Sequence, residues 1–469
     1  MASLATLSSI GPPERWELRH ANLSLFSARF NAGVTIQPRI HGPFCRLLRH
    51  CRVVPIALLA ACGRPAEDCV RVVSWADYRE LALEQEIADS LAMRHPEIPV
   101  CLESLSGSGI YREKVLTSIA AGTPPSVFLL DGIDIPAFAG QHVLLDLRPY
   151  TARLAIALDQ FHPRLLELFQ TDSQLIAFPK GFTPMAVYFN RNVFEAAGEP
   201  PPAPGWTWRD FRETARRLTR DTDRDGLPDH WGFGWPREFF YLQSWLWAGG
   251  GDLLSPDGSR ATGFLDAPAT LGALDFYMGL ATRDSVVPRI EMFRRESSVP
   301  IVRLFASNRL GMFVSGHWSM PQLLEHERAG RIRFGAAPIP TRDGGEVTPV
   351  LYASGWAVPR NAPHRRWAVQ VAAFLSSETA QRIRSRGGLE VAGLTSVAGE
   401  VAARDTTGRE AVFLDMTSNG RHSWGARVAK WREVEDALLD LLDRPLVRGE
   451  PLPRVAADIA QIIDRILRQ

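Results

Sequence analysis

The sequence predicts an α/β fold in which mostly parallel sheets are covered by helices. Beyond residue 68, short apolar runs rich in β-branched residues alternate with segments whose apolar residues recur at helical spacing. Such alternation is typical of strands that pair in parallel and are joined by covering helices. The chain has 469 residues, of which 45% are hydrophobic and 22% charged. This composition suits two or three folded domains and not a disordered chain.

The first elements follow one another closely after the N-terminal region. The pattern predicts, in order, a strand at residues 69–76, a helix at 78–95, a strand at 98–105, a helix at 111–122 and a strand at 125–132. Ligand sites in such sheets lie beyond the carboxyl ends of the strands. The polar and aromatic residues that follow these three strands are therefore candidates for a binding cleft.

The remaining elements continue the alternation. The pattern predicts a strand at residues 185–190, a helix with Thr207 as its N-cap, an aromatic-rich helix at 239–248 and a helix near 267–282. No segment after Cys62 is apolar over a length that could cross a membrane. The formal net charge of +1 and the lack of basic runs argue against nucleic acid as a partner.

A secretory signal is expected near the N-terminus. Arg46, Arg49 and Arg52 precede the apolar residues 53–61 and then Cys62. The "LAAC" ending resembles the lipobox of bacterial lipoproteins, whose cysteine is lipidated. The alternative is a buried strand that ends in a cysteine. Residues 1–41 are too long and polar for the signal, so we expect that the start codon is assigned too early.

Two cysteines remain beyond the expected lipidation site. Cys69 and Cys101 flank the first two predicted strands. Export to an oxidising compartment permits a disulfide between them, and two free buried thiols are the alternative. The spacing does not decide between these states.

Four stretches of the chain resemble those of one protein family. They contain "AAGTPPSVFLL" within residues 111–130, "NRNVFEAAGEPPPAPGWTW" within 187–219, "FASNRLGMFVSGHWSM" at 305–320 and "SGWAVPRNAPHRRW" within 354–381. In order and spacing they are similar to the family 1 extracellular solute-binding proteins of ABC importers, which include maltose-binding protein. The resemblance extends from Val70 to nearly the end of the chain.

The resemblance implies a type II periplasmic-binding-protein fold. Its two α/β lobes are each a mostly parallel sheet flanked by helices, and the ligand cleft lies between the lobes, which close by hinge motion. The implied parts are a leader at residues 1–61, a first lobe at 69–180 and 356–408, a second lobe at 183–350 and 413–469, and hinge crossings near 178–183, 347–356 and 404–413.

The expected site combines aromatic platforms with polar groups, because sugars present apolar C–H faces and hydroxyls. The chain has 13 Trp, and by position Trp318 and Trp431 resemble the family's sugar-stacking tryptophans. The expected ligand contacts are Trp75, Asp131, Asp134, Thr183, Phe240, Tyr241, Trp318, Ser354, Gly355, Trp356, Arg421, Trp424 and Trp431. The alternatives are core packing for the aromatic residues and turn capping for the two aspartates.

Three positions depart from the family pattern. Ser126 replaces an aspartate at the head of the third strand, away from the expected cleft. Thr183 stands where a glutamate is expected, and Glu435 stands where an arginine is expected. Since the maltose-type members hold sugar hydroxyls with such groups, these departures argue against maltose. A different disaccharide or oligosaccharide, or a sugar derivative, is favoured.

The resemblance also implies the partners. They are a small carbohydrate, the membrane subunits of an ABC permease and, through the lipid on Cys62, the outer face of the cytoplasmic membrane. We expect a monomer that binds no nucleic acid. The sequence lacks GxSxG, HExxH and P-loop motifs and a GxGxxG in a strand–helix context, so no catalytic residues are expected. The alternatives are a glycosidase-like enzyme and a calcium-dependent carbohydrate-binding adhesin.

An acidic loop offers one candidate metal site. Asp221, Asp223 and Asp225 alternate before Gly226, as at the start of an EF-hand calcium loop. The twelfth position of such a loop needs a bidentate carboxylate, and here it is Gly232. We therefore expect a turn capped by aspartates, with weak calcium binding as the alternative and no other cofactor.

Overall fold

The computed structural model describes most of the chain beyond the expected leader. The described residues are 69–105, 108–171, 174–234, 239–288 and 299–469. Cys62 and the rest of the expected leader lie outside them. No helix in the described part of the chain combines the length and apolar character needed to cross a membrane.

The four strands predicted from alternation are present as the first, second, third and fifth of the described strands. The described strands are β1 (Val70–Ser74), β2 (Val100–Ser104), β3 (Val127–Asp131), β4 (Phe178–Pro184), β5 (Ala186–Asn190), β6 (Trp231–Gly234), β7 (Leu310–Ser315), β8 (Phe334–Ala337), β9 (Val350–Ala357), β10 (Val391–Ala392) and β11 (Arg421–His422).

Helices follow most of these strands. The described α-helices are α1 (Tyr78–Arg94), α2 (Ser108–Ala120), α3 (Ile135–Gly140), α4 (Arg148–Thr151), α5 (Pro163–Phe169), α6 (Arg191–Ala197), α7 (Trp208–Leu218), α8 (Phe239–Ala248), α9 (Pro268–Thr282), α10 (Val299–Ala306), α11 (Met320–Arg328), α12 (Arg365–Leu375), α13 (Glu378–Ser385), α14 (Thr395–Arg404), α15 (Arg409–Asn419), α16 (Trp431–Arg448) and α17 (Leu452–Arg468).

The first sheet has the strand order β10-β4-β9-β3-β1-β2, and β11 also pairs with β9. Its leading strands are parallel as predicted, since β1 pairs in parallel with β2 and with β3. By contrast, β9 runs antiparallel to both β3 and β4. Parallel strands are joined by a crossover connection that passes over the sheet. The strand β9 has no such connection to β3 or β4, because it follows β8, which belongs to a second sheet.

The second sheet has the order β6-β7-β5-β8. Only β6 and β7 are parallel, and β5 runs antiparallel to β7 and β8. The chain passes directly between the sheets, because β4 ends at Pro184 and β5 begins at Ala186. We call the parts built on the two sheets the first and the second lobe. The α/β prediction is confirmed, with the correction that both sheets are mixed and not mostly parallel.

Local sequence signals explain where the helices begin. Thr207 is the N-cap of α7, as predicted, and its side chain accepts a hydrogen bond from the N–H of Asp210 while Asp210 accepts from the N–H of Thr207. This reciprocal pair satisfies two backbone donors that the helix leaves unpaired. Asp77 caps α1 in a similar way by accepting from the N–H groups of Arg79 and Glu80.

Cys69 and Cys101 form a disulfide. Their Cα atoms are 5.8 Å apart, within the range that a disulfide spans. The parallel register pairs Val70 with Val100, so the bridge joins the starts of β1 and β2. Of the two states that the sequence left open, the structure shows the disulfide.

Candidate ligand site at the ends of the first-sheet strands

Four side chains share one face at the carboxyl end of the first sheet. Thr183 on β4 lies opposite Tyr352 on β9, and Ser354 on β9 lies opposite Asp131 at the end of β3. Residues two apart on a strand point to the same face, and directly opposed residues point to the same side. The adjacent strands β4, β9 and β3 therefore bring two aliphatic hydroxyls, a phenol and a carboxylate together where a cleft was predicted.

Trp318 of the second lobe covers this face. It follows β7 in a short 3-10 turn (His317–Ser319) and remains partly exposed. A Cβ on the preceding Gly316 would lie 2.2 Å from the Trp318 ring and 2.5 Å from the methyl carbon of Thr183. A Cβ at this position would force the Trp318 ring or the Thr183 side chain to move, because real Cβ atoms do not approach other atoms so closely. Gly316 thus allows Trp318 to rest against Thr183.

Trp318 belongs to a larger aromatic group. Phe240, near the start of α8, stacks on Tyr352 with ring centroids 3.8 Å apart. The Trp318 ring is 5.5 Å from Phe240, 6.2 Å from Tyr352 and 6.5 Å from Tyr241. We call Phe240, Tyr241, Trp318 and Tyr352 the aromatic wall. Phe240 and Trp318 are only partly buried, so the wall retains aromatic surface for a ligand to stack against.

Carboxylates lie beside the aromatic wall. Asp134, in the turn after Asp131, is buried, and its carboxylate lies 3.1 Å from the Arg112 guanidinium and 3.2 Å from that of Arg432. Arg432 also pairs with Glu435 at 3.1 Å. We call Asp131, Asp134 and Glu435 the acidic group. Arg112 comes from α2 and Arg432 from α16, so this group is assembled from both lobes.

The acidic group is costly to ionise. Burial raises the pKa of Asp131 to about 7, and the nearby charge of Asp134 adds to that rise. Burial also raises the pKa of Asp134, although Arg432 and Arg112 oppose this effect. The pKa of Glu435 is raised by burial in the same way, against the influence of Arg432. Hydrogen-bond donors or a cation from a ligand would favour these carboxylates in their ionised form.

Trp75 and Tyr111 flank the acidic group on the first lobe. Trp75 follows β1, is partly exposed and meets Tyr111 edge to face with ring centroids 5.1 Å apart. The Tyr111 hydroxyl donates to the carbonyl of Leu129 at 2.7 Å. Burial raises the pKa of Tyr111, and the charges of Asp134 and Asp131 contribute. Tyr111 therefore lies close to both aspartates.

Trp318 also lines a small charged cavity. Its volume is about 50 Å³, and its lining includes Trp318, Arg79, Glu80 and Lys180. The buried Lys180 ammonium lies 3.0 Å from Glu80 and 2.7 Å from Glu390. Lys180 is thus paired within the first lobe, whereas Arg79 pairs with Glu325 of α11 at 2.9 Å. The charges that line this cavity are therefore already engaged by partners of the protein itself.

The structure does not bring every expected contact to this face. Trp356 is four residues along β9 from Tyr352, about 13 Å at strand spacing. It is only 1% exposed and lies beneath Arg384 in the first-lobe core. Gly355 points to the opposite face of β9, since side-chain directions alternate.

Three further expected contacts lie in or against the second-lobe core. Trp431 is 3% exposed and Trp424 is 1% exposed. The indole N–H of Trp424 donates to Asp252 at 2.7 Å. Arg421 lies over the ring of Trp424 and pairs with Asp252 at 2.8 Å, so its polar groups are engaged away from the aromatic wall.

Sequence reasoning missed four residues of the site: Tyr111, Arg112, Tyr352 and Arg432. Signals for two of them were present. Tyr352 lies two positions before the predicted Ser354 and therefore shares its face. Arg432 lies three positions before Glu435 on one helix, which places both on the same surface.

The acidic loop lies apart from these residues in the chain and forms the predicted capped turn. Asp221 accepts hydrogen bonds from the N–H of Arg224 at 2.7 Å and of Gly226 at 2.9 Å. Carboxylate oxygens of Asp221, Asp223 and Asp225 lie within 4.8 Å of one another and are exposed. Weak calcium binding at this loop stays an untested alternative.

Comparison with known proteins places this geometry in a family. A Brucella abortus protein described as a binding protein is 22% identical over 399 residues, which cover 82% of this chain and 90% of that protein. An ABC substrate-binding protein of Listeria monocytogenes, solved with cycloalternan, matches with a TM-score of 0.75 and 17% identity over 85% of this chain and 98% of its own. UgpB of Mycobacterium tuberculosis, solved with glycerophosphocholine, matches with a TM-score of 0.73 and 21% identity over 85% and 98% of the two chains.

These structural likenesses establish the two-lobed fold. The family model described as bacterial extracellular solute-binding protein matches residues 76–382. That span contains the whole second sheet, the strands β2, β3, β4 and β9 of the first sheet, and every residue of the aromatic wall and acidic group except Glu435. The chain therefore belongs to the bacterial extracellular solute-binding protein family.

Proposed function

We propose that the chain is the extracytoplasmic substrate-binding component of an ABC importer and that its ligand is a sugar. One observation carries this proposal: the aromatic wall and the acidic group meet on one face, where Tyr352 stacks on Phe240 and Asp131 lies opposite Ser354. Aromatic faces bind the C–H surfaces of a sugar ring, while carboxylates and hydroxyls bind its hydroxyl groups. Neither feature alone would select a sugar.

The two structural relatives were solved with different classes of ligand, an oligosaccharide (cycloalternan) and a phosphodiester (glycerophosphocholine). The charges of this site favour the first class. A phosphodiester anion such as that of glycerophosphocholine would lie near Asp131, Asp134 and Glu435. The nearby Arg112 and Arg432 are already paired with these carboxylates. Repulsion at short range disfavours the anion. A disaccharide, an oligosaccharide or a sugar derivative, as in the relative solved with cycloalternan, suits the site better.

The mechanism that follows is capture and delivery. Ligand binds the first-lobe face, and the second lobe closes over it with Trp318, Phe240 and Arg432. Closure excludes water and strengthens the hydrogen bonds to the carboxylates. The closed monomer then docks on the permease, while a lipid on Cys62 keeps it at the membrane surface. The site residues bind and orient the ligand without catalysing a reaction and without a cofactor.

Ligand binding is tested with the folded protein from residue 63 onward. Thermal shift and calorimetry are run against mono-, di- and oligosaccharides, amino sugars, polyols and glycerophosphodiesters. We expect a sugar to raise the melting temperature through preferential binding to the folded state, and chromatography to recover that sugar unchanged. Binding of glycerophosphodiesters alone, of no compound at all, or hydrolysis of the sugar would overturn the proposal.

A further inference from the structure

The charged groups of the site do not balance. The acidic group supplies three carboxylates, and the two guanidiniums of Arg112 and Arg432 face them. Both arginines contact Asp134, and Arg432 also contacts Glu435. With all five of these described groups ionised, three negative charges face two positive ones, an excess of one negative charge.

The excess charge lies on Asp131. Among the described residues, its carboxylate accepts one hydrogen bond, from the backbone N–H of Ile133 at 3.2 Å, and no cation lies within ion-pair distance. Asp131 is partly buried at the end of β3. An unpaired charge in such a place is unfavourable unless a further group approaches it. A group of the ligand could therefore provide the charge that Asp131 lacks.

The aromatic wall is next to this carboxylate. Tyr352 is two residues from Ser354, the cross-strand partner of Asp131, and its ring stacks on Phe240. Aromatic faces attract cations within about 6 Å of the ring centroid. A carboxylate beside aromatic faces therefore forms a better site for an ammonium group than for a hydroxyl, which cannot offset the charge.

The charges around Asp131 are mostly negative. The described charged and titratable groups there are Asp134, Arg112, Tyr111, Arg432, Glu435 and Tyr352, with Glu103 acting on Tyr111 and Asp436 acting on Glu435. The positive charges among them are directed to Asp134 and Glu435. Since burial and Asp134 raise the pKa of Asp131, a bound cation would reverse that shift and release a proton near neutral pH.

We propose that the ligand is a carbohydrate bearing a protonated amino group, and that this group lies between the Asp131 carboxylate and the aromatic wall. The proposal rests on the sugar-binding function proposed above and narrows its substrate class. An amino sugar, alone or within an oligosaccharide, would stack on the aromatic wall, donate hydroxyl hydrogen bonds to the acidic group and offset the charge of Asp131.

The test compares matched sugars by calorimetry at pH 6, where the amine is protonated. The tightest-binding amino sugar of the screen is compared with its hydroxyl counterpart and with its N-acetyl derivative. We expect the amino sugar to bind about tenfold or more tightly than either neutral form. Asp131→Asn should abolish this preference, whereas Asp440→Asn, at an exposed carboxylate of α16, should retain it.

A second readout follows protons directly. Titrations at pH 6 to 7 in buffers of different ionisation enthalpy should show proton release on binding of the amino sugar, and Asp131→Asn should show less release. A neutral sugar that binds as tightly as its amino form, or tighter, would overturn this proposal and leave sugar binding intact. If no sugar of any kind binds, the proposed function fails as well.

Discussion

Arg432 of α16 and Asp134 of the turn after β3 lie 3.2 Å apart and join the two lobes beside the ligand face. Asp134 also receives Arg112 from its own lobe at 3.1 Å. The same carboxylate is thus shared between one cation from its own lobe and one from the opposite lobe. Arg432 is therefore placed to couple lobe closure to the charge of the site.

Replacing this arginine should weaken binding. Arg432→Gln removes the contact between the lobes and leaves Glu435 and Asp134 with less compensation, so we expect ligand affinity to fall roughly tenfold. Arg444→Gln is the matched control, because Arg444 lies on the same helix and pairs with Glu450 and Asp458 within the second lobe. Calorimetry measures the ligand affinity of both variants. If Arg432→Gln binds the ligand as tightly as Arg444→Gln, Arg432 does not contribute to binding.

The approach of Trp318 to Thr183 depends on a glycine. Gly316→Ala would place its methyl carbon 2.2 Å from the Trp318 ring, so the ring must move and the aromatic wall opens. We expect a loss of affinity of about tenfold or more in a protein that still folds. Gly399→Ala, where a Cβ meets nothing within 4 Å, should bind normally. Equal affinity of the two variants would contradict the role assigned to Gly316.

Stability should depend on pH through Asp131. Its pKa is raised to about 7 in the folded protein and is about 3.9 in the unfolded chain. Between these values the folded protein holds a proton that the unfolded chain has lost, so the free energy of unfolding falls as pH rises through this window. Asp131→Asn removes that contribution. Relative to wild type, the variant should be most stabilised at pH 8 and little changed at pH 4.

Urea denaturation from pH 4 to 8 measures this difference. Asp134, Glu435 and Glu80 also have raised pKa values, so only the difference between variant and wild type isolates Asp131. Asp440→Asn controls for the loss of an exposed charge. A stability difference that does not change with pH would refute the assignment.

The disulfide should contribute to stability and not to binding. Cys69 and Cys101 are separated by 32 positions, a loop for which a disulfide contributes about 3–4 kcal/mol. The double variant Cys69→Ser/Cys101→Ser should lose about this free energy of unfolding. Ligand affinity should persist, because the bridge joins the starts of β1 and β2 while the site lies at the strand ends. Reductant should destabilise wild type and leave the variant unchanged.

The proposed lipid anchor is tested in cells. Cys62→Ser should move the protein from the membrane fraction to the soluble extracytoplasmic fraction and should abolish labelling by a radioactive fatty acid. Ser replacement of Cys51, which lies before the expected cleavage point, is the control and should stay at the membrane. Retention of the Cys62→Ser protein at the membrane would contradict lipidation there.

Local patterns in the sequence predicted the elements well. The helix expected at residues 78–95 is Tyr78–Arg94, and the aromatic-rich helix is Phe239–Ala248. Helical spacing and capping residues depend on residues close together in the chain, so helix bounds can be predicted from the local sequence. Strand direction was not predicted for β9, because its neighbours β3 and β4 are more than a hundred residues away in the chain.

The site was predicted in part. Thr183, Phe240, Tyr241, Trp318 and Asp131 were expected to bind ligand, and the structure brings them to one face. The depth of a side chain could not be predicted, since Trp424 lies in a short polar loop and is nonetheless 1% exposed. Its ring is covered by Arg421 and Arg427, each of which is brought there by the fold.

The position of β9 has a consequence for how the chain acquires its structure. This strand lies between β3 and β4 in the first sheet, yet its residues, Val350–Ala357, are made long after either neighbour. Until they emerge, β3 and β4 have no partner between them and the first lobe has a gap at its centre. Pairing over such distances in the chain is slow. The first sheet therefore cannot be completed until after every strand of the second sheet has been made, because β5, β6, β7 and β8 all precede β9 in the chain.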